Sequence, residues 1–161
     1  MVKIALQIQA TLEYIEEFYT CHPNYNFSLK IKCLNCGEVS EKWHDVAESD
    51  SIPTPNKHLH NHFVAKCKLC GRENSLDIVK DSNGKFTSDD QGKFKTIVTF
   101  DCRGIEPVDF TPAPGWIAKV EGSNYIYRDV DLSEKEWVEY NEDIKESVGI
   151  YDFQHQFIKV K

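Results

Sequence analysis

In I-K-C-L-N-C-G-E (31–38), and again in A-K-C-K-L-C-G-R-E (65–73), two cysteines separated by two residues are followed at once by glycine. This spacing lets both sulfurs turn to one side of a tight bend, and the glycine supplies the positive φ that such a bend often needs. Two bends of this kind, face to face, present four thiolates at the corners of a tetrahedron, as closed structural Zn²⁺ sites do. The pattern therefore predicts a zinc site made of the following cysteines: Cys33, Cys36, Cys67 and Cys70.

Two other chemistries use a C-x-x-C pair. In thioredoxin-like redox sites the pair opens a helix, whose dipole lowers the pKa of the first thiol. Here the residues after each pair, 39–43 and 75–79, have the character of extended chain. Catalytic zinc keeps one position open for water, and four thiolates leave no vacancy.

The two cysteine pairs are widely spaced in the sequence. Thirty residues separate Cys36 from Cys67, more than the ~15–20 of a compact ribbon, and the intervening proline-rich loop and strand account for the excess.

Composition limits the class of protein. The chain has 161 residues, 40% of them hydrophobic, which is enough for a folded core in a single domain over 1–161. A net charge of -7 and a pI of about 5.3 argue against nucleic-acid binding. We find neither a signal peptide nor a membrane span, and six cysteines without a secretory signal indicate a reducing compartment, the cytoplasm or the nucleus.

Period-two alternation of apolar residues runs through the chain and predicts half-buried strands of antiparallel sheets. The four apolar series are Ile4, Leu6, Ile8, Ala10 and Leu12; Phe27, Leu29, Ile31 and Cys33; Phe94, Thr96, Val98, Phe100 and Cys102; and Tyr151, Phe153, His155 and Phe157. The expected fold is mainly β, either a sandwich or several antiparallel sheets, with a ribbon-like zinc site of four cysteines and little helix.

One helix is expected, after Ser133. Ser133 and Glu136 have the spacing of a capping box, and Trp137, Tyr140 and Ile144 follow at helical spacing. Loops are expected over 48–56, which contains two prolines, and over 80–93, which contains Asn-Gly and Gln-Gly.

An internal similarity suggests two related halves. Residues 27–43 align without gaps with residues 94–110, so that Gly37 meets Gly104, and Cys33 meets Phe100. On this hypothesis the zinc-bearing half covers about 14–80, and the half without zinc covers about 94–161 together with the N-terminal strand. The alternative is chance similarity, since a strand, a glycine turn and an aromatic residue make a common hairpin plan.

The other histidines and cysteines are weaker candidates for metal binding than these four cysteines. His58, His60 and His62 alternate, so they could share one face of a strand and bind a second metal. We favour the interpretation that they are only polar residues of an exposed strand or loop. Cys21 and Cys102 are expected to be reduced and to act as small apolar fillers or surface thiols.

Several segments together resemble the eukaryotic CXXC-motif-containing zinc-binding protein family. Besides the two cysteine motifs, they are K-I-A-L-Q-I (3–8), N-H-F-V-A-K-C-K-L-C-G-R-E-N-S-L (61–76), F-K-T-I-V-T-F-D-C-R-G-I-E-P-V-D-F (94–110) and S-V-G-I-Y-D-F-Q-H-Q-F-I (147–158). The resemblance covers essentially the whole chain. It implies one zinc ion on the four cysteines, in a mostly β protein of two similar halves without a known catalytic activity.

The segment from Cys102 to Phe110 carries the most chemistry outside the zinc site. Arg103, Glu106 and Asp109 could form a recognition patch. We favour a structural role, in which Gly104 and Pro107 shape the turn, and Arg103 pairs internally with one of the carboxylates.

The leading interpretation is a non-enzymatic protein with one structural zinc per chain, which acts as an adaptor or a chaperone-like module for an unidentified protein partner. It is expected to be a monomer without nucleic-acid or membrane partners. The alternative is a thiol redox or metal-transfer protein that uses its C-x-x-C pairs. Cysteine-bound zinc joining two hairpins fits the first interpretation, because such sites contribute ~10–16 kcal/mol of apparent binding free energy to folding.

Overall fold

The structure is a computed structural model that describes residues 2–50, 52–53 and 60–160. In this part of the chain the regular elements are strands and one short 3₁₀ turn, Ser88–Asp90. The strands are β1 Val2–Glu13, β2 Ile15–Thr20, β3 Phe27–Cys33, β4 His44–Val46, β5 Ile52–Pro53, β6 His60–Asn61, β7 Phe63–Lys66, β8 Glu73–Ile78, β9 Phe86–Thr87, β10 Lys95–Arg103, β11 Ile105–Thr111, β12 Trp116–Val120, β13 Ile126–Val130, β14 Trp137–Asn141 and β15 Glu146–Val160. No helix in these residues could span a membrane.

The strands form antiparallel sheets, as predicted. The largest has six strands in the order β14-β15-β1-β10-β8-β7. A three-stranded sheet has the order β11-β3-β4, and a four-stranded sheet has the order β13-β12-β2-β9, while β5 and β6 pair with each other. The six-stranded sheet combines β7 and β8, from the expected zinc-bearing half, with strands of the other half. The division of the chain into two halves stays a prediction.

The alternating residues bury one face of each long strand. In β1, Ile4, Leu6, Ile8 and Ala10 are all buried, while Leu12 lies only partly inside. Most members of the apolar series in β3, β10 and β15 belong to the same core, where Phe27 meets Phe100 edge to face with ring centroids 5.7 Å apart. The strands that precede the two cysteine motifs, β3 and β7, thus extend from a common core.

The helix predicted after Ser133 is wrong. Trp137–Asn141 is β14, which pairs with β15 from Trp137↔Ile150 to Asn141↔Glu146. Ser133 lies in a turn, where its N–H donates to Asp131 Oδ1 at 2.9 Å. No helix follows for it to cap, because the next element is β14. The pairing with a long strand and the packing of the Trp137 ring on Tyr127, with centroids 5.0 Å apart, override the local helical spacing.

The predicted loops contain short regular elements. Within 48–56, Ile52–Pro53 pairs with β6, and residues 54–56 lie outside the described residues. Within 80–93, β9 extends the four-stranded sheet through Phe18↔Phe86 and leads into the 3₁₀ turn. These elements are only two or three residues long, too short to show the alternation of apolar residues that predicts a strand.

Candidate metal centre

Each C-x-x-C-G motif forms the same turn, which we call a knuckle. The first knuckle (33–38) follows β3, and the second (67–72) joins β7 to β8. In each, the glycine N–H donates to the carbonyl of the first cysteine at 2.8 Å: Gly37 to Cys33, and Gly71 to Cys67. The φ angles are 82° at Gly37 and 76° at Gly71, in the left-handed region that glycine adopts without strain.

The first knuckle directs backbone N–H groups at its own sulfurs. The N–H groups of Cys36 and Asn35 hydrogen-bond to Cys33 Sγ, and the bond from Cys36 is the largest cause of a Cys33 pKa lowered to about 6. Donors aimed at a sulfur stabilise its thiolate, the form that binds a metal. The backbone geometry of the turn therefore favours the metal-binding thiolate form of Cys33 even without a metal.

The second cysteine of each knuckle also accepts a backbone hydrogen bond. The N–H of Glu38 lowers the pKa of Cys36, but desolvation and the neighbouring cysteines outweigh it and raise the pKa to about 12. At Cys70 the pKa is lowered, first by the side chain of Asn35 and then by the N–H of Arg72. Four crowded thiols cannot all ionise alone, and a divalent cation among them removes this repulsion.

The four sulfurs have the spacing of a tetrahedral metal site. All of them lie within 4.8 Å of one another. Cys33 Sγ is 3.8 Å from Cys70 Sγ, and Cys36 Sγ is 3.5 Å from Cys67 Sγ. A regular tetrahedron with Zn–S bonds of about 2.3 Å has edges of about 3.8 Å. These two distances are close to that edge length, so the cluster suits Zn²⁺, and the six cysteines of the chain are free of disulfides.

The metal centre joins two different sheets. Cys33 ends β3 of the three-stranded sheet, whereas Cys67 follows β7 at the edge of the six-stranded sheet. The ligands differ in exposure: Cys33 is buried, Cys67 is half-buried, and Cys36 and Cys70 are exposed. Metal held here would tie the two sheets together at the surface, where two of the four cysteines are exposed.

Asn74 is a residue of the site that the sequence analysis did not identify. Its side chain is only 3% exposed, and its Nδ2 lies 3.7 Å from Cys33 Sγ, as a donor to the sulfur. Its Oδ1 packs closely against Gly104, whose carbonyl accepts the N–H of Leu34 at 2.9 Å. The sequence did carry a signal for Asn74, because it alternates with Leu76 and Ile78 and so places a polar side chain on the buried face of β8.

The histidine run makes no metal site among the described residues. His62 Nδ1 accepts the backbone N–H of Ile78 at 2.8 Å, and the backbone N–H of His62 donates to Asp77, so His62 holds the chain beside β8. His58 and the side chain of His60 lie outside the described residues.

The remaining candidates have structural contacts. Cys102 is buried, and burial raises its pKa to about 12, while Cys21 is half-buried. The expected internal pairing of Arg103 is absent: no carboxylate of the described chain lies within 4.0 Å of it. Asp109 contacts His155 instead, with Oδ1 3.4 Å from Nε2, and a β-bulge after Pro107 shifts the register of β11 against β3.

Comparison with known proteins agrees with this geometry. The sequence profile described as CXXC motif containing zinc binding protein, eukaryotic, matches residues 5–158. The chain belongs to this family. It is 51% identical over 162 residues to the UPF0587 protein CG4646 of Drosophila melanogaster, covering 100% of this chain and 99% of that protein. It is 45% identical over 159 residues to the Homo sapiens CXXC motif containing zinc binding protein, covering 99% of each.

Solved structures share the fold. The crystal structure of C1orf123 matches with a TM-score of 0.93 at 44% identity, covering 98% of this chain and 99% of that one. A hypothetical protein from Plasmodium falciparum has the same fold, with a TM-score of 0.89 at 23% identity over 98% of this chain and 100% of that one. The family expected from the sequence, the mainly β fold and zinc binding are thereby confirmed.

Proposed function

We propose that the protein is a non-enzymatic zinc protein, in which one Zn²⁺ per chain joins the two knuckles and stabilises surfaces that bind a protein partner. The observation that carries the proposal is the position of the four cysteines between two sheets. A metal bound there stabilises the fold, as structural zinc does in small domains. An adaptor or a chaperone-like role needs such a stable surface and no reaction chemistry.

The chemistry of the ligands supports an architectural role. Four thiolates complete the coordination of Zn²⁺ and leave no position for a water molecule. Within the described residues, the only group of three or more His, Cys, Asp or Glu side chains close enough to hold a metal is this cluster. A hydrolytic mechanism would need an open metal position beside a base.

A second candidate function is metal transfer, and one observation favours it. Cys36 and Cys70 are exposed, so an incoming thiolate could reach the metal from solvent. Ligand exchange of this kind proceeds through attack by an outside thiolate, and access controls its rate.

The experiment that separates these functions measures zinc content and then zinc exchange. The purified protein should contain one zinc per chain by elemental analysis. It should fail to reduce insulin faster than a free-thiol control, and alkylation of the four cysteines should require a chelator. Fast insulin reduction by the zinc-loaded protein, lost in Cys33→Ser with the fold intact, would establish redox function instead. Rapid transfer of zinc to an apo zinc-finger peptide would establish metal transfer.

The same proposal places the protein in the cytoplasm or the nucleus as a monomer. Reducing conditions keep thiolates available for zinc and prevent disulfides between the knuckles. Light scattering of the zinc-loaded protein should give the mass of one chain, 18.6 kDa.

A further inference from the structure

A groove of about 350 Å³ opens beside the metal centre, between the three-stranded sheet and β7. Its apolar lining includes Ile31, Ala65 and Ile105, and Cys33 and Cys67 of the metal centre also line it. Lys42, Lys66 and Lys68 stand at its edge, and all three are exposed. An apolar floor with a charged rim suits an extended segment that has both apolar and charged side chains.

Three lysines line the groove, in a chain whose net charge is -7. None of its three lysines has a carboxylate within 4.0 Å in the part of the chain that the structure describes. Glu38 and Glu41 also line the groove, and Glu38 is turned to the metal centre with Oε2 3.6 Å from Cys67 Sγ. The three lysines are therefore free to pair with carboxylates from outside.

Two of the strands that line the groove, β7 and β4, are edge strands. β7 is the last strand of the six-stranded sheet, and β4 is the last strand of the three-stranded sheet. Cys67 N–H bonds to Arg72 O across the β7–β8 hairpin, and residues of an antiparallel pair alternate in direction. The backbone groups of Val64 and Lys66 thus point away from β8, where a further strand can pair with them.

We propose that this groove binds an extended acidic peptide segment of a protein partner. The segment lies along β7, places an apolar side chain over Ile31 and Ala65, and brings flanking carboxylates to the three lysines. This inference rests on the proposed interaction function and names the chemistry of its partner.

The test uses the zinc-loaded full-length protein and a phage-displayed library of randomised octapeptides. The enriched peptides should share acidic residues on both sides of an aliphatic residue. A synthetic peptide of the enriched sequence should bind less tightly by about ten-fold when salt is raised from low to high ionic strength. Failure to enrich any sequence, or enrichment of neutral or basic peptides, would overturn the proposal.

Two triple variants locate the binding. The groove variant is Lys42→Ala/Lys66→Ala/Lys68→Ala, and it should weaken binding of the enriched peptide by about thirty-fold, since each exposed ion pair is worth up to ~1 kcal/mol. The control variant, Lys80→Ala/Lys93→Ala/Lys159→Ala, removes the same charge from exposed positions away from the groove and should bind within about two-fold of the unmodified protein. Equal losses in both variants would show that only net charge matters, and would overturn the proposal.

Zinc retention distinguishes this proposal from a role of the lysines at the metal. Both variants should hold zinc against a chromogenic chelator as well as the unmodified protein does. If the groove variant loses zinc and keeps its peptide affinity, the lysines serve the metal centre and the groove proposal is wrong. If the enriched peptides bind both variants normally, the protein binds peptides at another surface, and the interaction function stands without this groove.

Discussion

Replacing Cys33 by serine should release the zinc and lower the stability by several kcal/mol. Cys33 is 5% exposed at the end of β3, and its sulfur faces the knuckle of the other sheet. A serine hydroxyl is a poor zinc ligand, so the tie between the knuckles is lost. The effect should appear as a loss of both metal content and melting temperature.

The size of the loss follows from the chain that the metal closes. Cys36 and Cys67 are 31 positions apart. By the chain-entropy relation for cross-links, closing a loop of this length contributes about 4 kcal/mol at 25 °C, which is the least that loss of the metal should cost, because the free energy of zinc binding is lost as well. For a chain of this size, each kcal/mol shifts the melting temperature by roughly 2–4 °C, so loss of the loop closure alone in Cys33→Ser should lower it by about 8–16 °C.

Cys102→Ser is the matched control. Cys102 is 2% exposed, and its sulfur is not among the four clustered ligands. Its replacement should cost about 1–2 kcal/mol and leave the zinc content unchanged. Thermal unfolding by circular dichroism, with elemental analysis of each variant, measures both quantities. Equal shifts in the two variants, or a full equivalent of zinc in Cys33→Ser, would refute the assignment of the ligand.

Three further predictions concern residues around the centre and the core. Asn74→Leu removes the amide donor to Cys33 Sγ, and zinc transfer to a chelator should become about ten-fold faster. Gly104→Ala should destabilise the protein by about 1–3 kcal/mol, because φ is +79° and the new Cβ would collide with Asn74 Oδ1. Burial lowers the pKa of His155, while Asp109 opposes the shift; the folded state therefore binds fewer protons, and stability should fall as pH drops below about 6.5.

Each of these predictions has its own control. Asn74→Asp keeps the size of the side chain and removes the donor, so chelator rates equal to those of the unmodified protein would exclude a role for the amide. Gly122→Ala, at a φ of +78° with no atom within 4 Å of the new Cβ, isolates the backbone strain from the collision. His155→Phe should make the acid limb of the stability profile shallower, with the lowered pKa of His44 accounting for part of what remains, and an unchanged profile would assign the limb to other groups.

Local sequence was sufficient to predict the cluster of four cysteines. Each knuckle closes through hydrogen bonds between residues at most five positions apart, such as Gly71 N–H to Cys67 O, so the motif itself dictates the turn. The mainly β fold was equally accessible, because alternation in strands such as β1 follows directly from the two-residue period of extended chain.

The tertiary structure alone decided which segments meet. Trp137–Asn141 has helical spacing in the sequence, and only its pairing with a strand that begins at Glu146 and its contact with Tyr127 make it β14. Asn74 became part of the metal centre because the β7–β8 hairpin places it beside Cys33, 41 positions away. The groove likewise exists because two sheets bring their edge strands together at the knuckles. Such contacts depend on residues far apart in the sequence, so the local pattern of either segment alone does not predict them.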